Sequence, residues 1–164
     1  MKTLKRRRKE NKTDYLKRLK LLKSELPRIV FRRTNKYLIV QYVVSDQTKD
    51  KIEIGITSKK LMDYGWPKNS SGSLKSTPAA YLIGLLIGKE IIKNKKETPI
   101  VDFGMLRILS KSKIHAFLKG LVDSGIKIKH KEENFPNEDR ISGKHLKKDF
   151  SKTFNEIKSK IEEE

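Results

Sequence analysis

Ile52, Ile54 and Ile56 alternate with Glu53, Gly55 and Thr57, the period of a strand with one face buried. Upstream, residues 29–31 (Ile-Val-Phe) and the β-branched and aromatic run 37–44 favour the same extended backbone, with a polar turn at Arg32–Lys36 between them. A second polar turn, residues 46–51, leads into the isoleucine strand, so three antiparallel strands in a meander are predicted. Pro99 introduces a fourth strand, 100–103. It is expected to lie parallel to 52–57 and to be reached by a right-handed helical crossover.

Helical periodicity fills the remainder. Thr13 as cap and Asp14 at the positive end of the dipole predict a helix with Leu16, Leu19 and Leu22 on one docking face, Leu26 one turn on, and Pro27 as its end. Residues 58–64 read as a short helical turn, and residues 68–77 (KNSSGSLKST) as a flexible basic loop. Thr77 caps and Pro78 opens a helix that is apolar around most of its circumference, the mark of a central helix packed against the sheet. Within it Gly84 and Gly88 share a face, where helix and strand backbones are expected to approach closely. Ile114, Phe117, Leu118, Leu121 and Val122 mark a further helix ended by Gly125, and residues 126–128 read as a short edge strand. Leu146, Phe150, Phe154, Ile157 and Ile161 outline an amphipathic C-terminal helix, docked on this protein or on a partner. The fold class is α/β, a mixed sheet of a three-strand meander plus one parallel strand, packed with helices.

Charge changes this picture at one end. Residues 2–36 hold fifteen Lys or Arg against Glu10, Asp14 and Glu25, so twelve of the formal +19 of the 164-residue chain lie there. Self-repulsion on this scale makes a polyanion the natural partner. Residues 1–12, with Lys5, Arg6, Arg7, Arg8 and Lys12, cannot order themselves by burial and read as an arm that orders on nucleic acid. With no cysteine, disulfides and thiolate chemistry are excluded. The basic start has no apolar run of signal-peptide length behind it, and the longest apolar stretch, 78–88, is too short to span a bilayer. A soluble intracellular protein with no membrane partner is expected.

Candidate chemistry is cationic rather than catalytic. Arg32, Arg33, Thr34, Asn35 and Lys36 share one turn, where adjacent guanidinium, amide and hydroxyl groups suit phosphate and ribose. Trp66, beside Lys68 and Lys75, reads either as cover for the core edge or as a stacking platform for a base. His115, His130 and His145 lack metal-ligand spacing, glycine-rich phosphate loops are absent, and no cofactor is expected. A two-metal nuclease needs several gathered carboxylates, whereas the strands supply Asp102 and Glu53; Asp102 is expected to bond to a backbone amide or a nearby cation. Basic groups spread over several segments suit a folded RNA better than a DNA groove read by one helix, with a general nucleic-acid packaging protein as the alternative.

Several motifs carry a resemblance. They are Thr13-Asp14-Tyr15, Arg18-Leu19, Leu21–Ser24, Pro27-Arg28, Arg33–Lys36, Gln41, Gly65-Trp66, TPAAYLIGLLIGK at 77–89, Asp102–Gly104, LKGLVDSGIKI at 118–128 and PNEDRISGKH at 136–145. In this order they resemble the archaeal and eukaryotic branch of the universal large-subunit ribosomal protein family numbered L-eighteen, over about the whole chain. Asp139 stands where the family has glutamate, and residues 107–113 (RILSKSK) replace its Pro-Thr-x-Gly-like turn.

The resemblance implies a ribonuclease-H-like shape without catalytic acids, and a structural, non-enzymatic protein of the cytoplasmic ribosome. Its implied partners are 5S rRNA, large-subunit rRNA and neighbouring large-subunit proteins. By carry-over, Thr13, Asp14, Tyr15, Arg18, Arg33, Thr34 and Asn35 stand at or near 5S rRNA while the arm reaches into rRNA. Arg28, Arg32, Lys36, Trp66, Lys68, Lys75, Lys111 and Lys113 complete the expected RNA-binding set. The expected organisation is a basic arm (1–12), one α/β RNA-binding domain (13–128) and a C-terminal extension with an amphipathic helix (129–164).

Overall fold

The computed structural model describes residues 3–46, 49–146 and 149–163; the middle of the expected turn at 46–51 falls outside them. In chain order the elements are α1 (Arg6–Lys9), α2 (Tyr15–Leu22), β1 (Arg28–Arg33), β2 (Leu38–Asp46), β3 (Lys49–Thr57), α3 (Thr77–Lys93), β4 (Ile100–Asp102), α4 (Lys113–Asp123), α5 (Glu138–Ser142) and α6 (Ser151–Glu163). The sheet order is β3-β2-β1-β4. β1, β2 and β3 form the expected antiparallel meander, and β4 runs parallel to β1.

That placement corrects the pairing expected from sequence. β4 does not join β3 but crosses beyond β2 to the free edge of β1, where Ile29 pairs with Val101 and the Ile100 amide donates to the Pro27 carbonyl at 2.9 Å. Alternation in β3 also fails at one point. Tyr42 faces Ile54 and Val43 faces Ile52, so Glu53 is an extra residue. Such a bulge breaks the period of two. Ile54 and Ile56 point into the core while Ile52 is 53% exposed.

α3 is the centre of the core. Thirteen of its 17 residues are buried, because the sheet, α4, α5 and α6 surround it. Its cap is Ser76, which accepts from the Ala79 amide, rather than Thr77. Gly84 and Gly88 serve helix–helix rather than helix–strand contact: a Cβ on Gly84 would strike the Phe117 carbonyl, and one on Gly88 the Ser124 side chain. Gly120 of α4 reciprocates, with the Tyr81 carbonyl where its Cβ would stand. Phe31 joins sheet to helix, its ring 4.7 Å from Phe117 and 6.0 Å from Phe103.

The C-terminal helix docks on this protein. Phe154, Ile157 and Ile161 are buried against the core, each worth about 1.5–3 kcal/mol when withdrawn from water. Tyr81 and Phe154 rings lie 5.5 Å apart. α6 starts at Ser151, which leaves Leu146 outside it and exposed. Residues 126–128 form no strand, and the expected loop at 68–77 is largely folded, with 3-10 turns over Lys68–Ser73 and Leu74 in the core. The short turn expected near residue 58 is a 3-10 segment, Ser58–Met62.

Gly120→Ala has no room for its methyl between two backbones that cannot separate without unpacking α3 from α4. It should cost about 3 kcal/mol, at the upper end of ordinary overpacking, and lower the melting temperature by on the order of 10 °C. Thermal unfolding followed by circular dichroism reads this directly.

Candidate nucleic-acid interface

β1 has the period of two on which the interface is built. Ile29, Phe31 and Arg33 face α3 and α4, and Arg28, Val30 and Arg32 face the side covered by α2. Two adjacent arginines thus enter two different clefts.

The first cleft, about 110 Å³, lies under α2 and the arm. Arg7, Lys12, Lys17, Arg18 and Arg32 line it against the carboxylates of Asp14 and Asp102. Arg32 donates to the Asp102 carboxylate (2.8 Å), the Asp102 carbonyl (2.9 Å) and the Phe31 carbonyl (2.9 Å), and the Gly104 amide donates to the other Asp102 oxygen (2.7 Å). Asp102 therefore bonds to a cation and to an amide, as expected. Burial raises its pKa, but hydrogen bonds from Arg32 and Gly104 and the charges of Arg32 and Lys17 prevail and hold it below the usual carboxylate value.

A second carboxylate anchors α2. Asp50 accepts from Arg18 (2.7 Å) and from Arg28 and Ser45 (2.8 and 2.9 Å). Burial opposes its ionisation; the bonds from Arg18 and Ser45 and the charges of Arg28 and Arg18 outweigh this, so its pKa is also lowered. Arg28 is 2% exposed and gives its guanidinium to Asp50 and Ser45, which corrects the expectation that it faces RNA.

α2 differs from its expected form in three respects. Asp14, not Thr13, is the cap, accepting from the Leu16 and Lys17 amides at 3.1 and 3.3 Å. The helix ends at Leu22, ahead of Pro27, and Glu25 takes a left-handed conformation. The leucine face docks little: Leu16 is 75% exposed, Leu19 and Leu26 are also exposed and Leu22 alone of the four is half-buried, and polar ties from Arg18 and Lys17 hold the helix.

The described part of the arm lies against α2. Arg7 Nε donates to the Thr13 hydroxyl (2.9 Å), Arg8 stands 3.6 Å from Asp14, and the Lys5 ammonium sits over the Tyr15 ring at 4.6 Å. Arg6 and Lys12 pair with Glu10 at the surface.

The turn between β1 and β2 is closed by hydrogen bonds between Thr34 and Tyr37. The Thr34 hydroxyl donates to the Tyr37 carbonyl (2.7 Å) and accepts from the Tyr37 amide (3.0 Å), so it closes the turn rather than projecting from it. Lys75 reaches across to the Asn35 carbonyl at 2.6 Å. Arg33, Asn35 and Lys36 remain exposed at the tip.

The second cleft, about 370 Å³, opens beside this tip on the helix side of the sheet. Arg33 and Lys113 were expected among the interface residues; Arg107 and Arg140 join them from segments distant in sequence. Arg140 lies in the motif at 136–145 and Arg107 in the departure at 107–113, segments whose local pattern carries no sign that the two meet. Burial pushes the Lys113 ammonium pKa down, and the like charges of Arg33, Lys75 and Arg140 push it further.

Trp66 takes the core reading. It is 3% exposed, its ring centre 4.7 Å from that of Phe150 and its indole N–H given to the Ser70 carbonyl (3.2 Å). Lys68 and Lys111 are exposed away from these contacts, the latter bonding through its amide to the Asn134 carbonyl. His115 is buried on α4, His130 stacks on Phe135 and His145 is exposed; among the described residues no three His, Asp or Glu side chains gather as metal ligands. No described helix is long and apolar enough to cross a membrane.

A mixed α/β core with cationic clefts on both faces of its sheet defines a polyanion-binding protein. Comparison with known proteins narrows the class. Residues 1–100 match the family described as ribosomal large subunit proteins 60S L5 and 50S L18. The chain is 45% identical over 141 residues to the large ribosomal subunit protein uL18 of Korarchaeum cryptofilum (strain OPF8), covering 86% of this chain and 70% of that protein. It is 40% identical over 141 residues to the protein of the same name from Methanoregula boonei, covering 86% and 79%. The chain belongs to this ribosomal large-subunit family, in its archaeal and eukaryotic form.

Asp50 and Asp102 both have lowered folded pKa values. The stability they contribute is full above the unfolded carboxylate pKa of about 4 and is lost as pH falls through the lower folded values. Asp102→Asn should therefore destabilise the protein at pH 7 by about 2 kcal/mol, the scale of a hydrogen bond to a charged group, and its deficit against wild type should shrink toward pH 3. Denaturant titrations at both pH values check the sign.

Proposed function

We propose that this chain binds 5S rRNA and helps attach it to large-subunit rRNA in the central protuberance. As a member of a large-subunit ribosomal family it is a structural constituent of the ribosome. The finer reading is supported by one arrangement above all. Arg33, Asn35 and Lys36 stand exposed on a turn closed by Thr34, between two cationic clefts on opposite sheet faces.

Capture is electrostatic: arm and α2 lower the cost of bringing a polyphosphate to the surface and release its counterions. Register is set by short, directional bonds from Arg33 and Asn35 to phosphate and sugar, which a mobile lysine does not fix as well. Asp14 and Thr34 act here as positioning residues. One caps α2 and the other closes the turn, so the cations they support meet the RNA already oriented.

With about six phosphates neutralised, affinity for 5S rRNA should fall by roughly a thousandfold between about 50 and 200 mM salt. Arg33→Ala/Asn35→Ala should cost more affinity than Lys5→Ala/Lys9→Ala in filter binding, and equal losses would reduce the contact to charge alone. Excess duplex DNA should leave 5S rRNA bound. Displacement by the DNA would favour a general packaging protein.

A further inference from the structure

We propose that the cleft between the end of β1, the loop before α4 and the start of α5 holds a backbone phosphate of the bound 5S rRNA, with Arg33, Arg107, Lys113 and Arg140 as its cationic wall. The proposal rests on the 5S reading and adds to it a second, sequence-distant contact.

Three separated chain segments bring these four cations together, and among the described residues no carboxylate lines the cleft. Among the described residues, none of the four has an ion-pair partner, whereas Arg28 and Arg32 nearby in sequence are both neutralised by aspartates. Burial first, and then the charges of Arg33, Lys75 and Arg140, lower the Lys113 pKa, and gathering such like charges costs energy. An anion between them reverses its sign. Phe31, Leu106 and Ile114 supply apolar walls, which exclude water and strengthen the attraction.

The N-terminus of α4 adds to the same site. Its cap residue Ser112 makes no capping bond from its side chain, so the first-turn amides around Lys113 have no side-chain acceptor. At about 370 Å³ the cleft has room for a phosphodiester and its sugar. Arg33, Arg107 and Arg140 are exposed at the rim rather than closed over it, which suits a polymer passing through more than an enclosed small anion. Arg33 belongs to both the cleft wall and the Arg33–Lys36 tip, so one RNA strand can touch both.

Lysine acetylation of the full chain, read by mass spectrometry with and without in vitro transcribed 5S rRNA, tests this. Lys113 should be protected by the RNA, and still protected in an Arg6→Gln/Arg7→Gln/Arg8→Gln variant. Lys113→Gln/Arg140→Gln should lower affinity about tenfold and reduce the salt slope by about one per lost cation, while Lys113→Arg/Arg140→Lys restores both. If the RNA protects Lys5 and Lys9 but leaves Lys113 as reactive as in the free protein, the cleft proposal falls and the 5S reading stands. If millimolar inorganic phosphate protects Lys113 as fully as the RNA does, the cleft is a small-anion site and the proposal is overturned. Failure of the wild-type chain to form any complex with 5S rRNA would remove the reading on which it rests.

Discussion

β1 is the constraint on which the rest depends. It is paired on both edges, antiparallel to β2 and parallel to β4, and so its side chains have no freedom to choose a face. Phe31 commits one face to the core with Phe103 and Phe117. Arg32 must then point the other way, under the arm, and Arg33 must return to the helix side. A slip of one residue would bury Arg32 and expose Phe31, which the core does not permit. The two arginines that look like one basic dipeptide therefore serve two surfaces.

Those surfaces differ in how their charge is balanced. On the arm side, Asp102 and Asp50 neutralise Arg32, Arg28 and Arg18, and fix the positions of α2 and the loop after β4. The energy goes into geometry. On the helix side, Arg33, Arg107, Lys113 and Arg140 have no such partners among the described residues, and the elements that bring these like charges together are held by the core. α3, buried on nearly every side and locked to α4 through Gly84 and Gly120, is that core.

Much of this was legible from periodicity and punctuation. The meander, the central helix after Thr77-Pro78, α4 with its Gly125 stop and the amphipathic end of the chain all follow from local chemistry, because helix and strand periods and turn residues act over a few positions. The motifs also carried the family, and the shortage of carboxylates on the strands carried the expectation that Asp102 would be tied up rather than free. Local rules failed where the answer lay in a partner. The leucines of α2 look like a docking face until Arg18 and Lys17 are seen to hold the helix by polar ties, and the choice between the two readings of Trp66 rests on Phe150, 84 residues away, which packs on it.

By itself, then, the sequence determined the types of the long helices and of the meander strands, the excess of positive charge at one end and the alternation of β1. These are properties of neighbouring residues, and the chain carries them before it folds. Tertiary structure alone decided which edge β4 joins, that Glu53 is a bulge that turns Ile52 outward, and that Arg107 and Arg140 meet Arg33 and Lys113 in one cleft. Each of those depends on which surfaces remain unpaired once α3 is buried, and that is settled by the packing of the whole core rather than by any segment of it.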